Sequence, residues 1–217
     1  MSLETFCNLP EHKQRTIIDK GIEVFSKYSF TDASTDVITQ EAEISKGLLF
    51  HYFGSKKAFY LYLLDYSLKL LSQFELSSIQ ENANDFYKIL FDSMNTKFEL
   101  ISKYPKEMLF TNFAAKETSK QVVKEKQELI NQYMILVNSN SVKVLTRAIN
   151  ALNLRSDINK EKLVKGLSIY VNAIITQYLH MYKDNPQDFF AKFDLIQSEI
   201  KDYMSLMLQG VEVKNYD

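Results

Sequence analysis

Cysteine occurs once in the 217 residues, as Cys7, so no disulfide can close within the chain and the sequence fits a reducing compartment. Glycine (5) and proline (3) are scarce, and no long stretch alternates β-branched with polar residues. So few breakers imply long helices. No apolar run approaches the ~20 residues of a membrane span, and the first residues lack the order of a secretion signal. A cytoplasmic protein is therefore expected. No glycine-rich phosphate loop is present. The three histidines, His12, His51 and His180, are scattered, and no pair has metal-ligand spacing. Cys7 has no histidine base near it in sequence. Adjacent His180 and Met181 point different ways on a helix and do not form a haem pair. No catalytic residue, metal or cofactor is expected, and the chain does not read as an enzyme.

Hydrophobic residues make up 46% of the chain and charged residues 24%, enough apolar material for a sizeable core. The most informative stretch is Ser34 to Lys57, STDVITQEAEISKGLLFHYFGSKK. Ser34 or Thr35 caps a short helix with Val37, Ile38 and Ala42 on its apolar face. Glu43 and Ile44 make a turn. Ser45 caps a second helix, Lys46 to Tyr52, and Ser55 caps a third. Two short helices joined by a tight turn form the motif whose second helix enters the DNA major groove. Net charge is only −1, yet Ile44 to Lys57 holds Lys46, Lys56, Lys57 and His51 and no acid. The preceding helices carry Asp19, Glu23, Asp32, Asp36, Glu41 and Glu43. So shallow a basic patch implies modest affinity per subunit and a need for two subunits together.

Along the chain, residues 1–9 read as loose and a first helix runs from about Pro10 to Tyr28, with Ile18, Gly21, Ile22 and Phe25 on one face. The helix from Ser55 meets no breaker before Asn82, and apolar stripes on two of its faces suggest a strut of ~25 residues, about 37 Å. Further helices are expected over about 85–103, 105–117, 119–152, 160–182 and 186–209. The run Asn138–Ser139–Asn140–Ser141 is poor helix material, so 119–152 reads as one helix or as two. The last two helices have wide apolar faces that either pair two subunits in a four-helix interface or complete one subunit's core.

Arg15, Ile17–Ile18, Phe25, Phe30, Ser34–Thr35, Ile38, Ala42, Ile44 to Gly47, Leu49, His51 to Phe53 and Ser55–Lys56 stand at fixed spacing. Over about Arg15 to Phe59 the chain resembles the TetR family of bacterial transcriptional regulators. The remaining ~150 residues resemble it in length and helical pattern. The resemblance implies an all-α fold of about nine helices. It divides the chain into a helix-turn-helix DNA-binding head, residues 1–55, and a helical ligand-binding and dimerisation body, residues 56–217. It implies a homodimer through the last two helices, about 160–182 and 186–209, and a repressor that releases its operator when an effector binds. The chain departs from the family pattern at Lys20, Gly21, Ser29, Thr39, Glu43, Leu48 and Phe50. A non-glycine residue at Glu43 would cost ~1–2 kcal/mol in a left-handed conformation, which suggests another turn geometry.

Ser45, Lys46 and Gly47 form the turn nearest the bases, with Lys46 able to reach a guanine edge or a phosphate and Leu48 a thymine methyl. His51 and Tyr52 can donate to phosphates, as can Thr35, and Lys56 adds charge at a helix start. Phe50 belongs to the same surface or to the core. Double-stranded DNA is the expected macromolecular partner and a small apolar or aromatic molecule the expected effector. Candidate effector contacts are Tyr66, Met94, Phe98, Phe110, Asn112, Phe113, Tyr133, Tyr170 and Asn172, chosen because an excess of Tyr (13), Phe (15) and Met (7) suits such a ligand. Aromatics at helical spacing also simply build cores. Alternative readings are an activator or auxiliary DNA-bound factor without effector, and a helical small-molecule-binding protein whose head has lost DNA recognition.

Overall fold

Side-chain caps fix where several helices begin. Ser34 Oγ accepts from the Val37 N–H at 3.5 Å, Ser45 Oγ from Leu48 at 3.1 Å and Ser55 Oγ from Ala58 at 3.1 Å. Asn159 Oδ1 accepts from Lys162 at 2.9 Å. Each satisfies a backbone donor that a helix start leaves open. The computed structural model describes residues 3–73, 84–182 and 186–211. Among these residues the fold is all-α, with eleven helices and no strand. They are α1 (Leu3–Cys7), α2 (Glu11–Phe25), α3 (Thr35–Glu41), α4 (Lys46–Phe53), α5 (Lys56–Leu71), α6 (Phe86–Lys103), α7 (Pro105–Lys116), α8 (Val123–Asn150), α9 (Lys160–Met181), α10 (Pro186–Ala191) and α11 (Phe193–Leu208).

The chain forms two compact units. The first, Met1–Gln73 with Lys103–Ile135, holds α1 to α5, α7 and the start of α8. Its core joins Ile17, Ile22 and Phe25 of α2 to Ile38 of α3, Leu49 of α4, Phe59 and Leu63 of α5, and Phe110 of α7. Gly21 explains its own place in α2. A Cβ there would stand 2.6 Å from Leu63 Cδ1 and 2.7 Å from Phe59 Cζ, so α2 and α5 approach too closely for a larger residue. The second unit, Phe74–Ser102 with Leu136–Asp217, holds most of α6, the rest of α8 and α9 to α11. Its core joins Ile89 and Leu90 to Val144 and Ile149, and to Leu167, Ile196, Ile200 and Met204.

Three expectations change and one open question closes. Residues 1–9 are not loose: α1 buries Phe6 completely, with its ring 4.8 Å from Phe53, 5.6 Å from Tyr62 and 5.7 Å from Tyr52. The helix from Ser55 ends at Leu71, where the Ser72 N–H donates to Leu68 O and its hydroxyl to Lys69 O. The rest of the expected strut, 74–83, lies outside the described residues. Residues 123–150 form one helix through the Asn138–Ser141 run. Ser141 fits because its hydroxyl donates to Val137 O at 3.0 Å, within the helix. The expected last helix, 186–209, is two: α10 ends at Ala191, Lys192 takes φ −106° and ψ 12°, and α11 starts at Phe193.

Candidate functional site

The helix expected to read DNA, α4, is eight residues long and is held from below. Leu49, Tyr52 and Phe53 are buried, and α1 packs against them through Phe6. Gln14 secures the end of α1, its amide donating to Cys7 O at 2.9 Å and Leu9 O at 2.8 Å. Upstream, the α3–α4 turn closes in the pattern that ends many helices. The Ile44 N–H donates to Thr39 O at 3.0 Å and the Glu43 N–H to Gln40 O at 3.2 Å. Glu43 itself sits at φ 55°, so the turn keeps the left-handed geometry despite lacking glycine, contrary to expectation. Gly54, φ 76°, ends α4 with its N–H on Phe50 O.

This frame sorts the residues expected to touch DNA. Ser45, Lys46, Gly47 and His51 are exposed together on α4, Leu48 and Phe50 are half-buried, and Lys56 is half-buried at the start of α5. Thr35 and Tyr52 are only 8% and 7% exposed. Thr35 O accepts from the Thr39 hydroxyl at 3.0 Å. The cations of this region are engaged within the chain. Lys46 Nζ pairs with Asp36 at 2.9 Å, in the open, and Lys57 Nζ pairs with Glu125 at 2.5 Å. Lys56 Nζ donates to Thr31 O at 3.2 Å and lies 5.0 Å from the centre of the Phe30 ring. Burial holds the Lys56 amine below its ordinary range, with nearby Asp32 acting the other way. The Asp36–Lys46 pair is the feature that residue-type reasoning missed. Asp36 was legible as an acid on α3, but its reach across the turn to Lys46 was not.

The second unit contains a cavity of about 230 Å³ between α6, α8, α9 and α10–α11. Of the expected effector contacts, Met94, Phe98 and Asn172 line it. Tyr170, in the same unit, packs edge-on against Tyr203 at 5.9 Å. Tyr66, Phe110, Asn112, Phe113 and Tyr133 belong to the first unit. Phe110 is core there, Asn112 and Phe113 are exposed, Tyr66 accepts from Arg15 at 2.6 Å and Tyr133 donates to Asp65 at 3.0 Å. Sequence reasoning passed over Lys97, Ser141 and Phe190 of the cavity wall, because nothing in a helical repeat marks which inward residues face a void.

No helix among the described residues is long and apolar enough to cross a membrane, and no cluster of His, Cys, Asp and Glu that could hold a metal is found among them.

Comparison with known proteins gives the head a family. Residues 17–63 match the model of bacterial regulatory proteins, tetR family. The uncharacterized HTH-type transcriptional regulator YerO of Bacillus subtilis is 26% identical over 171 residues, 78% of this chain. The chain spans 55% of that relative's length. The fold matches a TetR family transcriptional regulator from Chloroflexus aurantiacus at TM-score 0.61 and 18% identity, covering 97% of this chain and 98% of that one. It also matches FadR of Bacillus subtilis, solved in complex with stearoyl-CoA, at TM-score 0.65 and 16% identity, covering 86% and 96%. The segment from the core of α2 through α4 to Leu63 thus resembles the tetR family of bacterial regulatory proteins, and the fold of the whole chain is that of TetR family regulators.

Proposed function

We propose that the protein is a homodimeric, ligand-responsive repressor that places α4 of each subunit in the major groove of a palindromic operator and releases it when a small apolar or aromatic effector binds. The observation that carries the reading is α4 itself: a capped helix, buried on one side, with Ser45, Lys46, Gly47 and His51 exposed together on the other. Residues 1–55 serve as the reading head and residues 56–217 as the effector-binding and pairing body. Lys46 contacts a base edge or phosphate, Gly47 permits close approach of the backbone, and Leu48 and Phe50 offer apolar contact. His51 and Lys56 contact phosphates, and Thr35 and Tyr52 reach phosphate through their hydroxyl tips only. The effector occupies the cavity lined by Met94, Phe98 and Asn172. Its binding favours states of the dimer whose heads no longer match the operator spacing. Stearoyl-CoA in the related FadR fold is compatible with an effector that has a long apolar part.

The test is a salt titration of binding to the DNA upstream of the protein's own gene. Each phosphate contact adds about −0.9 to the slope of log affinity against log salt. Lys46→Ala and His51→Ala should weaken binding without unfolding the protein, and Lys46→Ala should flatten the slope. Asp36→Asn should tighten binding, because it frees Lys46 and removes an acid beside the reader. The same ion pair favours a second reading, a helical ligand-binding protein whose head no longer reads DNA. No binding at low salt by either the wild type or Asp36→Asn would leave that second reading standing and overturn the first.

A further inference from the structure

Resting on the reading of α4 as the helix that enters the major groove, we propose that Asp36 and Lys46 act together to read a single C·G base pair, so that Asp36 is a specificity-determining residue of the operator contact. The two side chains come from opposite sides of the α3–α4 turn. Asp36 lies in the first turn of α3, and Lys46 opens α4. Lys46 Nζ sits 2.9 Å from one carboxylate oxygen of Asp36 and 3.0 Å from the other. Both side chains stand open, 49% exposed for Lys46 and 69% for Asp36. An ion pair this open adds little to stability. Nor does α3 need Asp36 as its cap, because Ser34 accepts from the Val37 N–H. Two other acids of this region are turned elsewhere: Asp32 accepts from the Ser29 hydroxyl at 2.6 Å, and Glu41 meets Lys20 at 3.5 Å. Of these three acids, Asp36 is the one joined to the reading helix.

The chemistry of the base edges selects the base pair. A carboxylate only accepts and an ammonium only donates. Side by side they fit a base pair that shows a donor next to acceptors. A C·G pair does so in the major groove, where cytosine N4 donates and guanine O6 and N7 accept. Lys46 then donates to guanine while Asp36 accepts from cytosine. Adenine N6 also donates, but it lies between two acceptors, adenine N7 and thymine O4, and both repel a carboxylate. Cytosine N4 has an acceptor, guanine O6, on one side only, and there Lys46 supplies the compensating charge. The carboxylate also meets the field of the phosphates, so it weakens contact with every sequence and regains the loss only at cytosine. Asp36 is thus a filter, which lowers affinity for wrong sites more than for the right one.

The competing reading leaves Asp36 as a local partner of Lys46 and a favourable charge at the start of α3. Such a role changes affinity for all sequences alike, whereas a filter acts at one position. Full-length wild type, Asp36→Ala and Asp36→Asn each select from a pool of random-sequence duplexes long enough for two half-sites. The bound DNA is sequenced, and circular dichroism checks that each protein is folded. We expect the wild-type sites to hold a fixed cytosine in each half-site, whose exchange for another base lowers affinity by about tenfold or more. Asp36→Ala should admit other bases at that position and keep the wild-type preference elsewhere in the site. Asp36→Asn should admit adenine there, since a side-chain amide pairs with adenine N6 and N7. Both variants should bind more tightly than wild type to sites with a wrong base at that position. An Asp36→Ala pattern equal to that of wild type, or a relaxed position at which wild type does not select cytosine, overturns the filter and leaves the DNA-reading head intact. Enrichment of no sequence by wild type overturns the reading of α4, and the filter with it.

Discussion

Glu43 holds a backbone conformation that glycine adopts without steric cost. For an L-residue the left-handed region costs about 1–2 kcal/mol. The turn keeps it because two hydrogen bonds close around it, Ile44 N–H to Thr39 O and Glu43 N–H to Gln40 O, and because Ile44 then packs against the core. The position of the turn was legible in the sequence; its geometry was not, because local cost was weighed without the closing bonds. Glu43→Gly should therefore stabilise the protein. Relief of strain is offset in part by the greater freedom of the unfolded chain, so the net gain expected is about 0.5–1 kcal/mol. A urea midpoint that falls or stays unchanged would show that Glu43 is not strained. At Gly21 the sequence showed a place on the apolar face of the first helix and a departure from the pattern of the resembling family, and its cause, the close approach of Leu63 and Phe59 of α5, needed the packing.

Helices as elements were more legible than their joints. Their apolar periodicity placed α2, α6, α7, α8 and α9 within a few residues, because a buried face repeats along the whole length. The break at Lys192 escaped, since it interrupts a continuous apolar stripe with one residue and no glycine or proline. The helix α1 escaped because five residues carry no period, and its reason to exist is a distant aromatic nest around Phe6. The link among α2, α5 and α7 was equally invisible. Arg15 meets Glu107 at 2.7 Å, Tyr66 Oη at 2.6 Å and Asp19 at 2.8 Å. Glu107 is 1% exposed, so its carboxylate depends on that guanidinium. Removing one partner of a buried pair typically costs about 3–5 kcal/mol, and the partial exposure of Arg15 puts Arg15→Met near the lower end, about 3 kcal/mol. Arg15→Met with Glu107→Gln should be more stable than Arg15→Met alone, because no charge is then left stranded. Urea unfolding of both variants checks this, and a double variant no better than the single one would mean that Glu107 finds water or another donor.

At the scale of the molecule, α11 bears on a question that its sequence left open. It carries two apolar stripes. Ile196, Ile200, Met204 and Leu208 are buried in the core of the second unit. Leu195, Tyr203 and Leu206 stand exposed, Leu206 at 63%, and Ile169 of α9 is exposed at 61%. Completing a core and pairing subunits are therefore not alternatives: one stripe does the first, and the proposed dimer assigns the other to the second. Large side chains repeated along one helix face suit a self-complementary contact between two copies. Leu206→Asp and Ile169→Asp place charge on that surface without touching the buried stripe. Each should shift sedimentation from dimer to monomer at micromolar concentration while circular dichroism and the unfolding midpoint of the subunit core stay nearly as they were. Operator binding should fall with the dimer, and the salt slope should drop to about half, because one head makes half the phosphate contacts of two. A variant that stays dimeric with the wild-type slope would place the subunit contact elsewhere. A variant that becomes monomeric with an unchanged slope would mean that a single shallow basic head, whose Lys46 is already paired with Asp36, makes every phosphate contact there is.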